Sequence, residues 1–440
     1  MRINPEGGRC AGLIKSIICE KCNPFSTALF NAGTATRTVP LLCSSPHSED
    51  SSHTKEDYLY ASTPNNQSAC FNGHGAPPNT RKLSTSLGGM CLEKINDASY
   101  RSMVAHPDGS SKAFFSSQDG KIWLGAIPEK GMLQLDETDP FLDLMTEGYL
   151  GSEFRFATYA DPTEVRQVFS MGLPYASNHA GQLFFQPSDG YLYVPTGNSG
   201  NKGVNPSLSQ NKKSLLGKIL RLNVDDLPEL NEAASKSSCG KYTIPEDNPR
   251  SVDSELQPEI WALGLTNPGR CNFDSVKPYH LYCTDDVQGE YKGVDLISKG
   301  GNYGWGDVYE EHHGAPPPWA AQGIKSSDGI IFPVMGYKAY SSTGNTTTAS
   351  IVGGHVYRGY TDPCLYGRYL FADMNTSALW TGMETTDSTG KYTSNAIHFK
   401  CSRESPIPCN ELTNNPFGSI FSFGEDNKKD AFILTSQGVY

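Results

Sequence analysis

A histidine stands at 179 in the run Asn178-His179-Ala180-Gly181-Gln182-Leu183, and the hairpin that follows ends in Thr196-Gly197-Asn198-Ser199-Gly200. Imidazole titrates near neutrality, so a histidine at a strand start can take a proton from an alcohol. Ala180 and Gly181 carry little side chain, which lets a flat ligand approach the backbone. Taken alone, a histidine beside a turn is more often a solvated surface group. The second candidate is Asn267 in Gly264-Leu265-Thr266-Asn267-Pro268. The proline holds it extended, so its amide can be aimed at a ligand, although an ordinary loop asparagine is the plainer reading. The third comprises Asp285 and Asp286 after Thr284, then 295–305 with its Lys299-Gly300-Gly301-Asn302-Tyr303-Gly304-Trp305. Carboxylates and free carbonyls in a Gly-rich loop suit calcium, but the spacing matches a calcium loop poorly. Glu310-Glu311-His312-His313 has metal-binding residue types. Adjacent side chains rarely converge on one ion, and the following Gly-Ala-Pro-Pro-Pro marks an exposed loop. Cys19 and Cys22 lack the second pair that a structural zinc needs.

The elements that must position these residues are short strands. From Cys91 onward a hairpin unit recurs: an apolar stretch, a turn often marked by Pro or Asp-Gly, then alternating apolar residues. Examples are 103–115 and 183–194, with looser copies at 271–283 and 420–434. Further strands are expected at 121–124, 217–222, 259–263, 355–357 and 368–372. Asp-Gly between alternating apolar runs is a strong hairpin signal. Short strands repeated over about 350 residues point to a β-propeller rather than a sandwich, which is nearer 100 residues. The fold class is all-β. Loops of a propeller meet at the mouth of its channel, so residues distant in sequence converge there.

Composition agrees. The 440 residues include 44 glycines and 29 prolines, too many turn formers for a helical bundle. The formal net charge of −11 argues against nucleic acid or an anionic membrane as main partner, since both need clustered positive charge. Twelve cysteines, with local pairs at Cys271/Cys283 and Cys401/Cys409, read as disulfides of an oxidising compartment. The Cys271/Cys283 pair flanks a hairpin whose arms set the two ends opposite each other. Sequons at Asn66, Asn345 and Asn375 fit that compartment. The expected localisation is therefore secreted or cell surface. The start has no signal-peptide core, and the end looks like a strand cut short without an anchor tail, so a chain incomplete at both ends is expected. Residues 1–90 form a separate Cys-, Ser-, Asn- and Thr-rich region, with a short amphipathic helix at 11–18 and a polar linker at 44–79. Residues 91–440 form the propeller.

The ordered series Asn178-His179-x-Gly-Gln-Leu, Asp189-Gly190-Tyr-Leu-Tyr-Val, 216–222, Ile244-Pro245-Glu246-Asp247-Asn248-Pro249, 258–264 and 299–305 resembles the glucose/sorbosone dehydrogenase family. Within it, 352–359, 365–369 and 420–427 resemble the plant hedgehog-interacting-protein-like branch, and 10–43 resembles part of its folate-receptor-like N-terminal domain. The resemblance implies a six-bladed propeller and oxidation of a sugar or related alcohol with pyrroloquinoline quinone (PQQ). It implies His179 as catalytic base and cofactor contact, Asn267 and Gln288 as further cofactor contacts, and Asp285 and Asp286 in the loop that holds calcium. The electron acceptor stays unknown. Thr266, Asn375, Pro416 and Gly418 stand where the bacterial enzymes carry cations toward the cofactor's carboxylates, which weakens the expected anion clamp. The alternative is a non-catalytic extracellular propeller that binds a protein ligand, as animal relatives do. Relatives also carry two more strands where only 155–161 lies here, so the first blade is expected to be incomplete.

Overall fold

A computed structural model describes residues 90–143, 168–173, 177–199, 208–225, 242–286, 291–304, 329–338, 350–362, 365–385, 390–409 and 417–440, together with the short paired strands Asn31–Ala32 and Ala35–Thr36. The helix expected at 11–18, the linker at 44–79, the Glu310–His313 cluster, Gln288 and Pro416 lie outside the described residues. The described chain is all-β apart from one 3-10 turn at Pro249–Ser251.

Five antiparallel sheets follow one another along the chain as the blades of a propeller. The first runs Ser102–Ala105, Lys112–Ser116, Lys121–Ala126, Leu142–Asp143. The second runs Phe184–Phe185, Leu192–Thr196, Lys218–Leu222, Ile260–Leu263. The third is Pro268–Phe273, Leu281–Asp285, Tyr291–Ile297, Met335–Lys338. The fourth is Ile351–Val356, Tyr369–Asp373, Leu379–Glu384, Tyr392–Ile397. The fifth has three strands, Ile420–Glu425, Ala431–Thr435 and Gly438–Val439. In each sheet the strands lie side by side in chain order, the first innermost. The innermost strands of the third, fourth, fifth and first blades pack against one another in that sequence.

The expected six blades are therefore corrected to five among the described residues, and the blade at 102–143 is a complete four-stranded sheet. The innermost strands of the described blades already pack one against the next from the third round to the first, which leaves no gap for a further sheet among them. The shortened stretch 155–161 falls outside the described residues.

Alternating residues on each strand bury one face against the next blade, and the apolar clusters lie between sheets. Cys271, Leu281, Cys283 and Ile297 of the third blade meet Tyr193, Ile219 and Ala262 of the second. Tyr282, Val294 and Met335 meet Ile351, Tyr369 and Phe371 across the next junction. Met103, Phe115 and Trp123 pack on Leu434 and Val439. Each such buried side chain contributes about 1.5–3 kcal/mol. The N-terminal segment joins the last blade: Ile95 N–H donates to Val439 O (2.9 Å) and Val439 N–H to Asn96 O (2.9 Å). Residues 95–96 thus extend the three-stranded sheet with a fourth, distant piece of chain. Met90–Leu92 also pairs, in parallel, with Phe399–Cys401.

Both local cysteine pairs are disulfides, Cys271–Cys283 and Cys401–Cys409. The first joins the two inner strands of the third blade at a Cα separation of 4.0 Å.

Candidate functional site

In the second, third and fourth blades, the turn between the second and third strands reaches the start of the next blade's innermost strand. Asn198 N–H donates to Thr266 O (2.7 Å), Ser350 Oγ to Asp286 Oδ2 (3.1 Å), and Ser377 Oγ to Gly418 O (3.0 Å). These contacts mark one end of the channel as a single mouth. His179, Asn267, Asp285 and Asp286 all lie there, on the second and third blades.

Local backbone geometry at the mouth is unusual. Asn178 and Ala180, neither of them glycine, sit at φ 51° and 59°, and Ser199 at 67°. Left-handed conformations of this kind cost free energy and persist where the surroundings fix them. The surroundings here are tight: a Cβ on Gly197 would collide with the Asn178 carbonyl and reach Asn267 Oδ1 at 3.0 Å. Glycine at 197 is what lets the two loops touch.

The structure joins the two principal candidates through a neighbour. Ala180 N–H donates to Asn267 Oδ1 at 2.9 Å, so the Asn267 side chain holds the loop that carries His179. Asn267 is in turn held by Asp285, whose Oδ1 accepts the Asn267 N–H (2.6 Å) and whose Oδ2 accepts the Thr266 N–H (2.8 Å). Burial pushes the Asp285 carboxyl up to about 6 although both backbone amides favour its charged form. Asp295, diagonally across the same sheet, is also buried. Burial, then the charge of Asp285, raises it well above the usual carboxylate range.

The carboxylates offered for calcium are thus engaged. Asp285 uses both oxygens on backbone amides. Asp286 accepts from Lys292 Nζ (2.6 Å) and from Ser350 Oγ. A calcium ion there would have to share these oxygens with donors already in place. Among the described residues no three His, Cys, Asp or Glu side chains gather as a metal site. The donor set fits a flat ligand with carbonyl or carboxylate edges better. Asn267 is half-buried, its amide NH2 has no partner among the described residues, and Ala180-Gly181 leaves room beside it.

The three described positions where cations were expected carry none. Thr266 is fully buried and its hydroxyl has no hydrogen-bond partner among the described residues, Asn375 is exposed in a turn, and Gly418 sits at φ 63°.

Residues assigned no role from sequence support the mouth from beneath. Lys218 is fully buried, and its ammonium donates to the carbonyls of Leu208 (2.9 Å), Ser209 (2.8 Å) and Leu216 (2.7 Å). It ties the long loop of the second blade to its own strand, and burial lowers it to about 7. Asn302 exchanges side-chain hydrogen bonds with Gln210 at 2.9 and 2.8 Å. A Cβ on Gly264 would strike Asn302 Oδ1, so this loop packs directly under 264–267. The signal was present in the Leu-Gly-Lys and Gly-Gly-Asn-Tyr-Gly runs. Their roles emerge only once the sheets bring them together.

Comparisons with known proteins were consistent. The sequence profile of the glucose/sorbosone dehydrogenase family matches residues 157–398. The HIPL1 protein of Arabidopsis thaliana is 36% identical, in a match that spans this whole chain and 82% of that protein. Mouse Hedgehog-interacting protein is 27% identical over 58% of this chain and 30% of its own length. Among solved structures, the apo aldose sugar dehydrogenase of Escherichia coli aligns with a TM-score of 0.49 at 16% identity, covering 79% of this chain and 96% of that one. On the profile match and the full-length similarity to HIPL1, the chain belongs to the glucose/sorbosone dehydrogenase family.

Proposed function

We propose that the chain is a PQQ-dependent oxidoreductase acting on the CH–OH group of a sugar or related alcohol, at an extracellular or cell-surface location. The observation that carries the reading is the hydrogen bond from Ala180 to Asn267, which sets His179 and a free amide edge on one mouth of the channel. When bound, PQQ would supply the redox chemistry by accepting a hydride. His179 takes the hydroxyl proton at an imidazole nitrogen, which makes the alcohol carbon a better hydride donor. Asn267 orients a carbonyl edge with its NH2 group while Oδ1 keeps the His179 loop in place. Asp285 fixes Asn267 and does not touch the substrate.

A second reading is favoured by the missing cations at 266, 375 and 418. It makes the propeller a binding module for a protein ligand, the role that the name of the Hedgehog-interacting protein relative states for that protein. Titration of purified protein with PQQ and calcium, with a dye acceptor and a panel of sugars, separates the two. Dye reduction that needs PQQ and vanishes in His179→Ala, with PQQ affinity kept within a few-fold, supports the enzyme. Absence of PQQ uptake sinks it and leaves the binding module.

A further inference from the structure

Arg270 stands apart from the other buried arginines. It occupies the irregularity between Gly269 and Asn272 in Pro268–Phe273, at φ 50°, where a residue with a side chain is strained. Its carbonyl lies under Gly353 of the next innermost strand, where a Cβ would come within 2.7 Å. Its guanidinium is half-buried and makes no hydrogen bond or ion pair among the described residues. Arg221 and Arg358 differ: Asp189 and Asp247 neutralise the first, Asp274 the second. Desolvated cations are normally paired, because leaving water without a counter-charge is costly.

A second arginine stands at the start of another innermost strand. Arg101 precedes Ser102–Ala105, and the innermost strands Ile351–Val356 and Ile420–Glu425 stand between it and the Arg270 strand. The two residues therefore lie on different walls of the channel rather than along one sheet. After burial, the charge of Arg101 is the next cause lowering the Arg270 pKa. Arg101 is itself positioned, its guanidinium 3.5 Å over the Phe421 ring and donating to Gln118 Oε1. Two like charges held over one channel describe a site whose anion is supplied from outside.

We infer that Arg270 and Arg101 form a carboxylate site across the central channel, for a small molecule bearing two or more carboxylates. A planar fork with unused donors suits a carboxylate edge, and two separated cations select a ligand charged at both ends. The assignment deepens the reading above and rests on it only for the ligand's identity. PQQ is a tricarboxylate, and these arginines would replace the cations lacking at 266, 375 and 418.

The test is calorimetry with two probes, PQQ and the redox-inert planar benzene-1,3,5-tricarboxylate, on wild type, Arg270→Met, Arg270→Lys and Arg101→Gln. Wild type should bind both probes. Arg270→Met should weaken each by about ten- to a hundredfold, with Arg270→Lys between, because it keeps charge and loses the fork. Arg101→Gln, on the opposite wall, should weaken both independently. Without ligand, Arg270→Met should melt no lower than wild type, since it removes an unpaired cation, so lost binding is not lost folding. Tight PQQ binding indifferent to both arginines overturns this site and leaves the proposed function standing. Tricarboxylate binding that needs Arg270, with no PQQ uptake, keeps the site and overturns the quinoprotein reading. Binding of neither probe overturns both.

Discussion

Asp285 shows how a residue can serve a site without touching a ligand. Its two oxygens take the amides of Thr266 and Asn267, and Asn267 then takes the amide of Ala180. An asparagine at 285 would turn one acceptor into an NH2 group facing a backbone N–H, at a cost of about 1–3 kcal/mol. Asp285→Asn should therefore speed hydrogen exchange in 178–183 and 264–268 by about tenfold or more, and leave 420–439 unchanged. Exchange monitored by mass spectrometry checks this; equal protection in both proteins would show that the relay does not hold the loop. Sequence reading singled out His179, Asn267 and Asp285 but gave no hint that Asp285 holds the Thr266 and Asn267 amides, because an aspartate after a strand looks the same whether it faces a cation or a backbone amide. Other motif residues were legible as a pattern only. Arg221, Asp189, Asp247 and Asn248 sit in separate runs up to 59 positions apart, from 189 to 248. In the fold, Arg221 bonds Asp189, Asp247 and Asn248 and lies between the rings of Tyr191 and Trp261. One cation draws those separate runs together.

At the scale of elements, all four hairpins read from the sequence are present, and each is the inner pair of a blade. Inner pairs are legible because apolar residues run through both strands and their turns are short, with Gly109 and Gly190 at φ 77° and 73°. Outer strands were missed at Leu142–Asp143, Met335–Lys338 and Tyr392–Ile397. Tyr392–Ile397 carries Thr, Ser and Asn between its buried ends, so no apolar run announces it. The pairing of 95–96 with Val439 is non-local by more than 300 residues and leaves no local trace. The Cys271–Cys283 bridge was readable because hairpin geometry sets the two cysteines opposite each other. A loop of this length constrains the unfolded chain by about 3 kcal/mol. The double variant Cys271→Ala/Cys283→Ala should lose stability by about that amount in urea denaturation while the fold persists. A loss under about 1 kcal/mol would mean that packing between the second and third blades, not the bridge, holds this hairpin.

For the whole molecule, the buried ionisable groups set how stability responds to pH. Lys218 is lowered to about 7 from 10.5 by burial, so between those values the unfolded chain holds a proton that the folded one sheds, and stability rises with pH. Its three carbonyl partners favour the charged form and make that rise shallower than burial alone would give. His355, buried with its Nε2 3.8 Å from Glu425 Oε2 and without a hydrogen bond among the described residues, is lowered to about 4, first by burial and then by Lys429. Its contribution is complete above about 6.5 and is lost as pH falls toward 4. Asp285, raised to about 6, acts in the opposite sense: it favours the folded state below 3.8, and that support fades as pH rises through 6. Between pH 4 and 6.5 these two oppose each other, and Asp295, raised in the same sense as Asp285, adds to the fall as pH rises, which leaves Lys218 to govern the alkaline side. Above about 10 the buried tyrosines, among them Tyr193, Tyr282 and Tyr337, hold their protons more firmly folded than unfolded, and the slope turns down. Maximum stability should therefore fall near pH 9, well above the isoelectric point of about 5.4. Urea midpoints at moderate salt from pH 5 to 10 measure the curve. Lys218→Met should flatten the rise between 7 and 9.5 and lower stability throughout, because three carbonyls lose their donor. A wild-type midpoint that is flat or falling over that interval would show that the ammonium stays charged in the folded protein and that its carbonyl cage outweighs burial.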